Sequence, residues 1–479
     1  MKRQLSSIYA SLVLGLTLAA CGGQTGNLPL TIHVSPGDDP FAHDAAEVRF
    51  TIGTGTPTTV AVTQGHFKYN VSVNPNNNLQ AITVEAIDAN GNVIARGKTA
   101  PVALQTIEDD NTGVWVGRLG TFAVADTTLP TARAEFATIA VPGVGIVYAG
   151  GRDASGAVLN EAPLFSTLLQ TMFIQVPALN TARAGAVGGP LTNGEGFIFG
   201  GSTAVGFGAT ATPVNSVELF SLNSLGVGQW SPVAAGATPV DARTLPALSI
   251  TGNSAVMTGG LDLNGGPLQS SLQVSLSGAG TPSPVGSMAA PRFRHAQTNA
   301  HFATGGDGLL LFGGLPDNST LPVAETLTGQ TFGPYPDLNS LGNRRGATAT
   351  TTSSGDVLIL GGEDATGALA SGFAATVSVM PAKITQISAA LSVARVGHTA
   401  TLLASGDILV CGGANATGTL QASCDLLDGA SYGIKQTLPL AAARRDHSAA
   451  TLDNGIVIIA GGFGSDGAPL KSIEIYTPN

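Results

Sequence analysis

Seven glycine pairs, each ending a short apolar run, divide roughly the last three quarters of this sequence into units of similar length. They close the runs "GIVYAGG" (Gly150-Gly151), "GFIFGG" (Gly200-Gly201), "SAVMTGG" (Gly259-Gly260), "LLLFGG" (Gly313-Gly314), "VLILGG" (Gly361-Gly362), "ILVCGG" (Gly412-Gly413) and "IVIIAGG" (Gly461-Gly462). The first glycines lie 50, 59, 54, 48, 51 and 49 residues apart. An arginine stands 16 or 17 residues before six of the pairs: Arg133, Arg183, Arg243, Arg345, Arg395 and Arg444. In the fourth unit Arg294 lies 19 residues ahead, where "HFATGGDG" lengthens the intervening turn. A period of this size means one supersecondary unit repeated, with each copy burying the apolar face of its neighbour.

Each unit subdivides in the same way. A first strand such as "HTATLL" meets a tight turn, "ASGD" or "LDNG", whose Gly and Asn suit positive φ. The glycine-terminated strand follows, then a polar loop, then a third strand such as "SVELF" or "SIEIY". A less regular fourth stretch, for example "GQWSPVAA", leads to the next arginine. Four short strands repeated radially describe a propeller blade.

These units resemble kelch repeats, in the form common in bacterial lipoproteins, over residues 120–479. Two departures stand out. Only Trp230 fits the tryptophan expected on the fourth strand, and the third and fifth units lack a strand-three glutamate. The expected fold is all-β: a seven-bladed kelch-type β-propeller preceded by a small immunoglobulin-like β-sandwich. The last unit stops at "SIEIYTPN", just after its third strand, while "GTFAVADTTLP" precedes the first arginine with no blade of its own. Residues 121–126 are therefore expected to supply the missing strand of the last blade, which would remove exposed strand edges.

Residues 27–119 show alternating apolar and polar stretches without a repeat, at 30–34, 46–52, 58–62, 66–73, 80–88, 92–97 and 113–118. "DANGN" at 88–92 reads as a hairpin turn, because Asn and Gly tolerate left-handed backbone. About seven strands in so short a span suggest a sandwich. Ahead of it, Lys2 and Arg3 precede an apolar stretch from Ile8 to Ala20, and "LAAC" ends at Cys21. This resembles a lipoprotein signal peptide (residues 1–20) with its lipobox. The resemblance implies lipidation of Cys21, a short tether at 21–26, and attachment to a membrane through the lipid anchor only. Loss of Lys2 and Arg3 with the leader takes the formal charge from −10 to −12. A diffuse negative charge argues against a nucleic-acid partner.

The chemistry-bearing residues are few. Seven guanidinium groups around one mouth could capture carboxylates or anionic sugars. Recurrence in every unit favours a structural role instead, each arginine pairing with a strand-three acid such as Glu218, Glu325 or Glu474 and locking neighbouring blades. Three Arg-x-x-His sets, Arg292/His295, Arg395/His398 and Arg444/His447, occupy equivalent places on separate strands, so convergence on one ion is awkward. The loops "RDASG", "LDLNGG", "LPDNS", "EDATG", "ANATG" and "GSDG" offer one or two acids each, too few for a calcium loop, and read as Asx-type turns. Copper-radical oxidases also join a kelch propeller to a sandwich, but their tyrosine–cysteine cross-link with two histidines finds no match here. No nucleophile elbow, zinc motif or phosphate loop is present. The expectation is no cofactor, no metal and no catalytic residue. Cys411 and Cys424 fall on adjacent strands of the sixth unit, and a disulfide is plausible in an exported protein.

The function expected from these observations is a non-catalytic, membrane-anchored lipoprotein whose propeller serves as a protein-binding or scaffolding platform in the cell envelope. Gly22 after Cys21 leans toward the outer membrane. The alternative is a carbohydrate-binding or carbohydrate-active protein with an Arg-lined pocket and a carboxylate in reach at the propeller mouth. Low aromatic content, 5%, weighs against it, since sugar sites usually stack on rings. The partner is an envelope protein or a glycan.

Overall fold

The computed structural model describes residues 13–19, 25–35, 37–67, 79–103, 112–166, 173–192, 194–204, 214–222, 228–233, 241–251, 253–262, 264–276, 281–316, 320–387 and 390–479. Cys21, the two leader cations and most of the strand expected at 66–73 lie outside them. The described chain is all-β and β-propeller-like, with one short α-helix at Pro40–His43 and a 3₁₀ turn at Pro336–Leu341. Among the described residues no helix is long and apolar enough to cross a membrane.

The N-terminal unit holds a five-stranded antiparallel sheet in the order Gly117–Arg118, Val93–Lys98, Ile82–Ile87, Glu47–Ile52, Thr58–Ala61. A second sheet sets Thr25–His33 between Val13–Ala19, antiparallel, and Thr112–Trp115, parallel. The tether expected at 21–26 thus runs into a strand that begins at Thr25. Alternation decides what faces inward: Val48, Phe50, Val84, Leu30, Ile32 and Val114 form one core. On Ile82–Ile87, Glu85 is buried yet satisfied, accepting from Arg49 Nε at 2.7 Å and Arg96 Nε at 2.9 Å. The 88–92 turn is held by Asp88, whose Oδ1 accepts from the backbone of Asn90 and Asn92.

The second unit is built from repeated four-stranded sheets. Six are consecutive antiparallel meanders, whose first strands are Ala137–Val141, Ala184–Pro190, Ala247–Thr251, Ala296–Phe302, Thr348–Thr351 and Thr399–Leu402. A seventh sheet begins with Ser448–Thr451 and runs through Val457–Ala460 to Ile473–Thr477, with Thr121–Val124 beside the last. Each first strand touches the first strand of the next sheet, and Ser448–Thr451 touches Ala137–Val141, so the contacts form a cycle. Thr138 Oγ1 bonds to Ser448 Oγ at 2.9 Å across that final junction. The apolar runs of the second strands are buried, and Val357–Leu360 and Val457–Ala460 are wholly so, because both of their faces pack against neighbouring sheets. This explains their continuous apolar runs. On the sixth sheet, Cys411 and Cys424 sit directly opposite each other and are joined as a disulfide.

Candidate functional site

The glycine pairs and the arginines belong to one device. The N–H of each second glycine donates to the carbonyl of the arginine that opens the next sheet: Gly151 to Arg183, Gly201 to Arg243, Gly260 to Arg292, Gly314 to Arg344, Gly362 to Arg395 and Gly413 to Arg444, at 2.8–2.9 Å. Gly462 donates to Arg133 at 3.1 Å and completes the circle. The first glycine of each pair has positive φ and lies against that same carbonyl. A Cβ on Gly412 (φ 64°) would stand 2.5 Å from the Arg444 carbonyl oxygen, closer than any real contact. Only glycine fits there.

Each arginine side chain turns back into its own sheet. Arg183 Nη1 donates to the carbonyls of Gly200 and Ser216, and its Nη2 donates to Glu218 Oε1 at 2.6 Å. Arg395 and Arg444 repeat the pattern, with Asp425 at 3.3 Å and Glu474 at 2.8 Å as their acids. Arg133 reaches Glu161 at 2.8 Å, just before the third strand. Where the third strand carries an acid, that acid also holds the linker entering the sheet: Glu218 accepts from the backbone of Asn180 and Thr181, and Glu474 from Ala441 and Ala442. The ion pair therefore ties a linker to the third strand within one sheet. The backbone bonds just described are what join neighbouring sheets.

Two of the arginines expected in this ring belong elsewhere. In the fourth sheet the buried residue is Arg292, not Arg294; its Nη2 donates to Glu325 Oε1 at 2.7 Å. In the fifth it is Arg344, not Arg345, which pairs through its backbone with Glu363. The spacing to the glycines, which a longer turn and a doubled arginine both blur, misplaced them. The Arg-x-x-His spacing shared by Arg292, Arg395 and Arg444 carried the correct register. Third and fifth sheets lack a strand-three acid. Arg344 there stacks on Phe373, 4.7 Å from the ring centroid, and Arg243 relies on Ser270 and carbonyls. Burial with little opposing charge pulls Arg243 down to about 10, still cationic at neutral pH.

The ring arginines are buried and hydrogen-bonded, so they do not face solvent at any mouth. His295, His398 and His447 are likewise buried. Their Nε2 atoms meet Thr258, Thr348 and Thr399 hydroxyls at 2.6, 3.1 and 3.0 Å. Burial, with the adjacent ring arginine second, lowers His295 and His398 to about 3 and His447 well below its ordinary value. They are neutral bridges between sheets. Among the described residues no group of three or more His, Cys, Asp or Glu side chains is placed to hold a metal ion. The polar loops are Asx-type turns: Asp153 accepts from Ser155 and Ala157, Asp262 from Asn264 and Gly266, Asn415 from Thr417 and Thr419. Part of "LPDNS" lies outside the described residues.

What does face the mouth stands two residues beyond each ring arginine. These seven positions hold Glu135, Gly185, Leu245, Arg294, Gly346, Gly397 and Asp446, all with φ between 49° and 69°. Their backbones link around the axis: Gly185 N–H donates to the Glu135 carbonyl, Leu245 to Gly185, Gly346 to Arg294 and Asp446 to Gly397. Six of the seven line a cavity of about 260 Å³, together with Ala186, Val187, Pro246 and Ala347. Arg294 reaches over Gly346 and Gly397 so that its Nη2 lies 3.4 Å from Asp446 Oδ1. Asp446 Oδ2 accepts from Arg445 at 2.7 Å. Beside them Arg152 pairs with Glu135 at 3.0 Å, and Arg152 and Arg445 both lie over the Phe463 ring, at 4.7 and 5.1 Å. A second cavity, of about 340 Å³, is lined by residues of four first strands, including Thr138, Pro190, Ile250 and Thr451.

No family model matches the sequence, and no curated protein matches it. Among solved structures the chain is similar to that of YjhT, with a TM-score of 0.47 and 12% identity over 73% of this chain and 95% of that one.

Of the seven arginines expected at a mouth, only Arg294 lines the cavity there. The mouth positions carry Glu, Gly, Leu, Arg and Asp, so no repeat marks them, and only their constant offset from the arginines could have.

Proposed function

We propose that the chain is a seven-bladed kelch-type β-propeller preceded in sequence by an immunoglobulin-like sandwich, anchored by a lipid on Cys21, and that the propeller is a non-catalytic protein-binding platform in the cell envelope. Strand Thr121–Val124, beside Ile473–Thr477, is read as the closure of the last blade. The observation that carries the binding role is the division of labour among the arginines. The repeated ones are consumed inside the sheets, while Arg152, Arg294 and Arg445 with Glu135 and Asp446 present a mixed-charge, partly exposed surface that breaks the repeat, two of these arginines lying over the buried Phe463 ring. Rigid strands holding unlike side chains at one mouth suit selective docking.

The glycan reading expects an arginine and a carboxylate in one pocket, and Arg294 and Asp446 meet that. That cavity, however, is lined by no Phe, Tyr or Trp on which a sugar ring could stack. The protein-docking reading therefore stands first. Affinity purification from the native envelope, run in parallel with wild type and an Arg152→Glu/Arg445→Glu variant, tests it. One stoichiometric protein that is retained by wild type and lost by the variant is expected. Recovery of polysaccharide alone, or of the same proteins by both, overturns it. Mass spectrometry of the mature protein checks the anchor: a diacylglycerol adduct on Cys21 is expected.

A further inference from the structure

Three residues on the cavity rim hold a backbone conformation that side chains avoid. Leu245, Arg294 and Asp446 have φ of 53°, 50° and 49°, whereas Gly185, Gly346 and Gly397 occupy the equivalent places in three other sheets. A left-handed backbone is unfavourable for a residue with a Cβ, and glycine would remove that cost. Retained strain of this kind clusters at sites with a task, and the inference runs from the observed outlier to the task. Here the three strained residues supply three different contacts to one space: an apolar wall, a guanidinium and a carboxylate.

Their pairing is incomplete in an informative way. Charge-assisted N–H···O bonds ordinarily close to about 2.7–2.9 Å. Arg294 Nη2 stands 3.4 Å from Asp446, and that is a stretched pair. Asp446 is held from its other oxygen by Arg445 at 2.7 Å, so it is fixed while Arg294 is lightly held. Gly346 and Gly397 leave the space through which the Arg294 side chain passes. Ala186, Val187, Leu245 and Pro246 form the apolar side of the cavity, and buried His295 and His398, neutral as argued above, add no charge.

We propose that this cavity binds a small zwitterion, an α-amino acid with an aliphatic side chain, by inserting it into the Arg294–Asp446 pair. The ligand carboxylate accepts from Arg294, the ligand ammonium donates to Asp446 Oδ1, and the aliphatic group packs on Leu245, Val187 and Pro246. A monoanion would meet the Asp446 carboxylate, and a monocation would meet Arg294; only a ligand carrying both charges replaces both halves of the pair. About 260 Å³ has room for a molecule of that size. The cavity shares Arg294 and Asp446 with the proposed docking surface, but small-molecule binding there does not require a docked protein, and calorimetry on the isolated chain reads it separately.

The test is titration calorimetry on the whole mature chain with L-leucine, 4-methylpentanoate (leucine without its amine) and isopentylamine (leucine without its carboxylate). Saturable binding of leucine is expected, with each half-charged analogue at least tenfold weaker. Arg294→Gln and Asp446→Asn should each weaken leucine at least tenfold. Circular dichroism melts show whether either variant is folded, and the analogue series on the wild-type chain decides the matter even where one is not. No heat from leucine at up to about 10 mM, or analogues that bind as well as leucine, overturns the proposal. So does undiminished leucine binding in folded Arg294→Gln.

Discussion

Two sets of seven residues, two positions apart along the chain, obey opposite rules. The ring arginines are the same residue seven times, buried, and committed to carbonyls and acids of their own sheets. The residues two places later share a backbone conformation but not a side chain, and several are partly exposed. One set answers to a geometric demand that recurs with every sheet. The other shares only a left-handed backbone, met by glycine in three sheets and by four unlike side chains in the rest. In a repeated fold, then, identity across copies marks what the architecture needs, and divergence at a geometrically constant position marks where a specific surface is made.

The comparison breaks most directly if a ring pair proves dispensable. Glu218 and Glu325 are buried against guanidinium groups that have no solvent contact. Removing one partner leaves an uncompensated buried charge, a loss of about 3–5 kcal/mol. Glu325→Ala should lower the urea midpoint accordingly, with the slope unchanged. Asp446→Asn at the half-exposed mouth should cost less than about 1 kcal/mol. Equal effects of the two substitutions would erase the distinction between ring and mouth.

Acid sharpens it next. His295 and His398 titrate near 3 in the folded chain, against an ordinary value of 6.5. Between those values the unfolded chain binds the protons that the folded chain refuses. Stability is therefore full above about pH 6.5 and falls as pH drops toward 3. Each such histidine adds about 1.4 kcal/mol per pH unit to that fall. Urea midpoints at a series of pH values from 7 to 4.5 should show the loss, and His398→Asn, which removes one titrating group, should flatten it. A midpoint that holds steady across this range would mean the imidazoles are not buried neutral between sheets.

Much of the ring was legible because its causes are local. Glycine at a fixed place after an apolar run reports a backbone that no Cβ permits, and Gly412 shows why. The turn at Asp88–Asn92 was legible for the same reason. Arg292 was missed in favour of Arg294 because counting back from the glycines assumes a constant turn, and the fourth sheet has long strands, Ala296–Phe302 and Gly306–Phe312, on either side of it. Pairing was misjudged as well. The acids were expected to lock neighbouring blades, yet the carbonyl of the arginine does that, and main-chain hydrogen bonds leave no mark on residue identity. An arginine and a carboxylate at the mouth were legible as a class, but which residues supply them was not, since Leu245, Arg294 and Asp446 come together only when sheets three, four and seven share an axis.

The smallest expected effect is also the most diagnostic. Arg292→Gly deletes a buried guanidinium with four acceptors and should unfold the protein or nearly so. Arg294→Gly, two residues on, loses one stretched and partly exposed ion pair, worth at most about 1 kcal/mol. It also loosens the unfolded chain, at a cost of roughly 0.5–1 kcal/mol. Against these it releases the left-handed strain at φ 50°, a gain of about 1–2 kcal/mol. The net change should lie within about 1 kcal/mol of zero. Arg294→Ala loses the same pair but keeps the strained Cβ, so thermal unfolding should rank Arg294→Gly above Arg294→Ala by about 1 kcal/mol, the reverse of their usual order. If alanine equals or exceeds glycine there, the mouth is not strained, and the case that its three unlike side chains are kept for a ligand loses its premise.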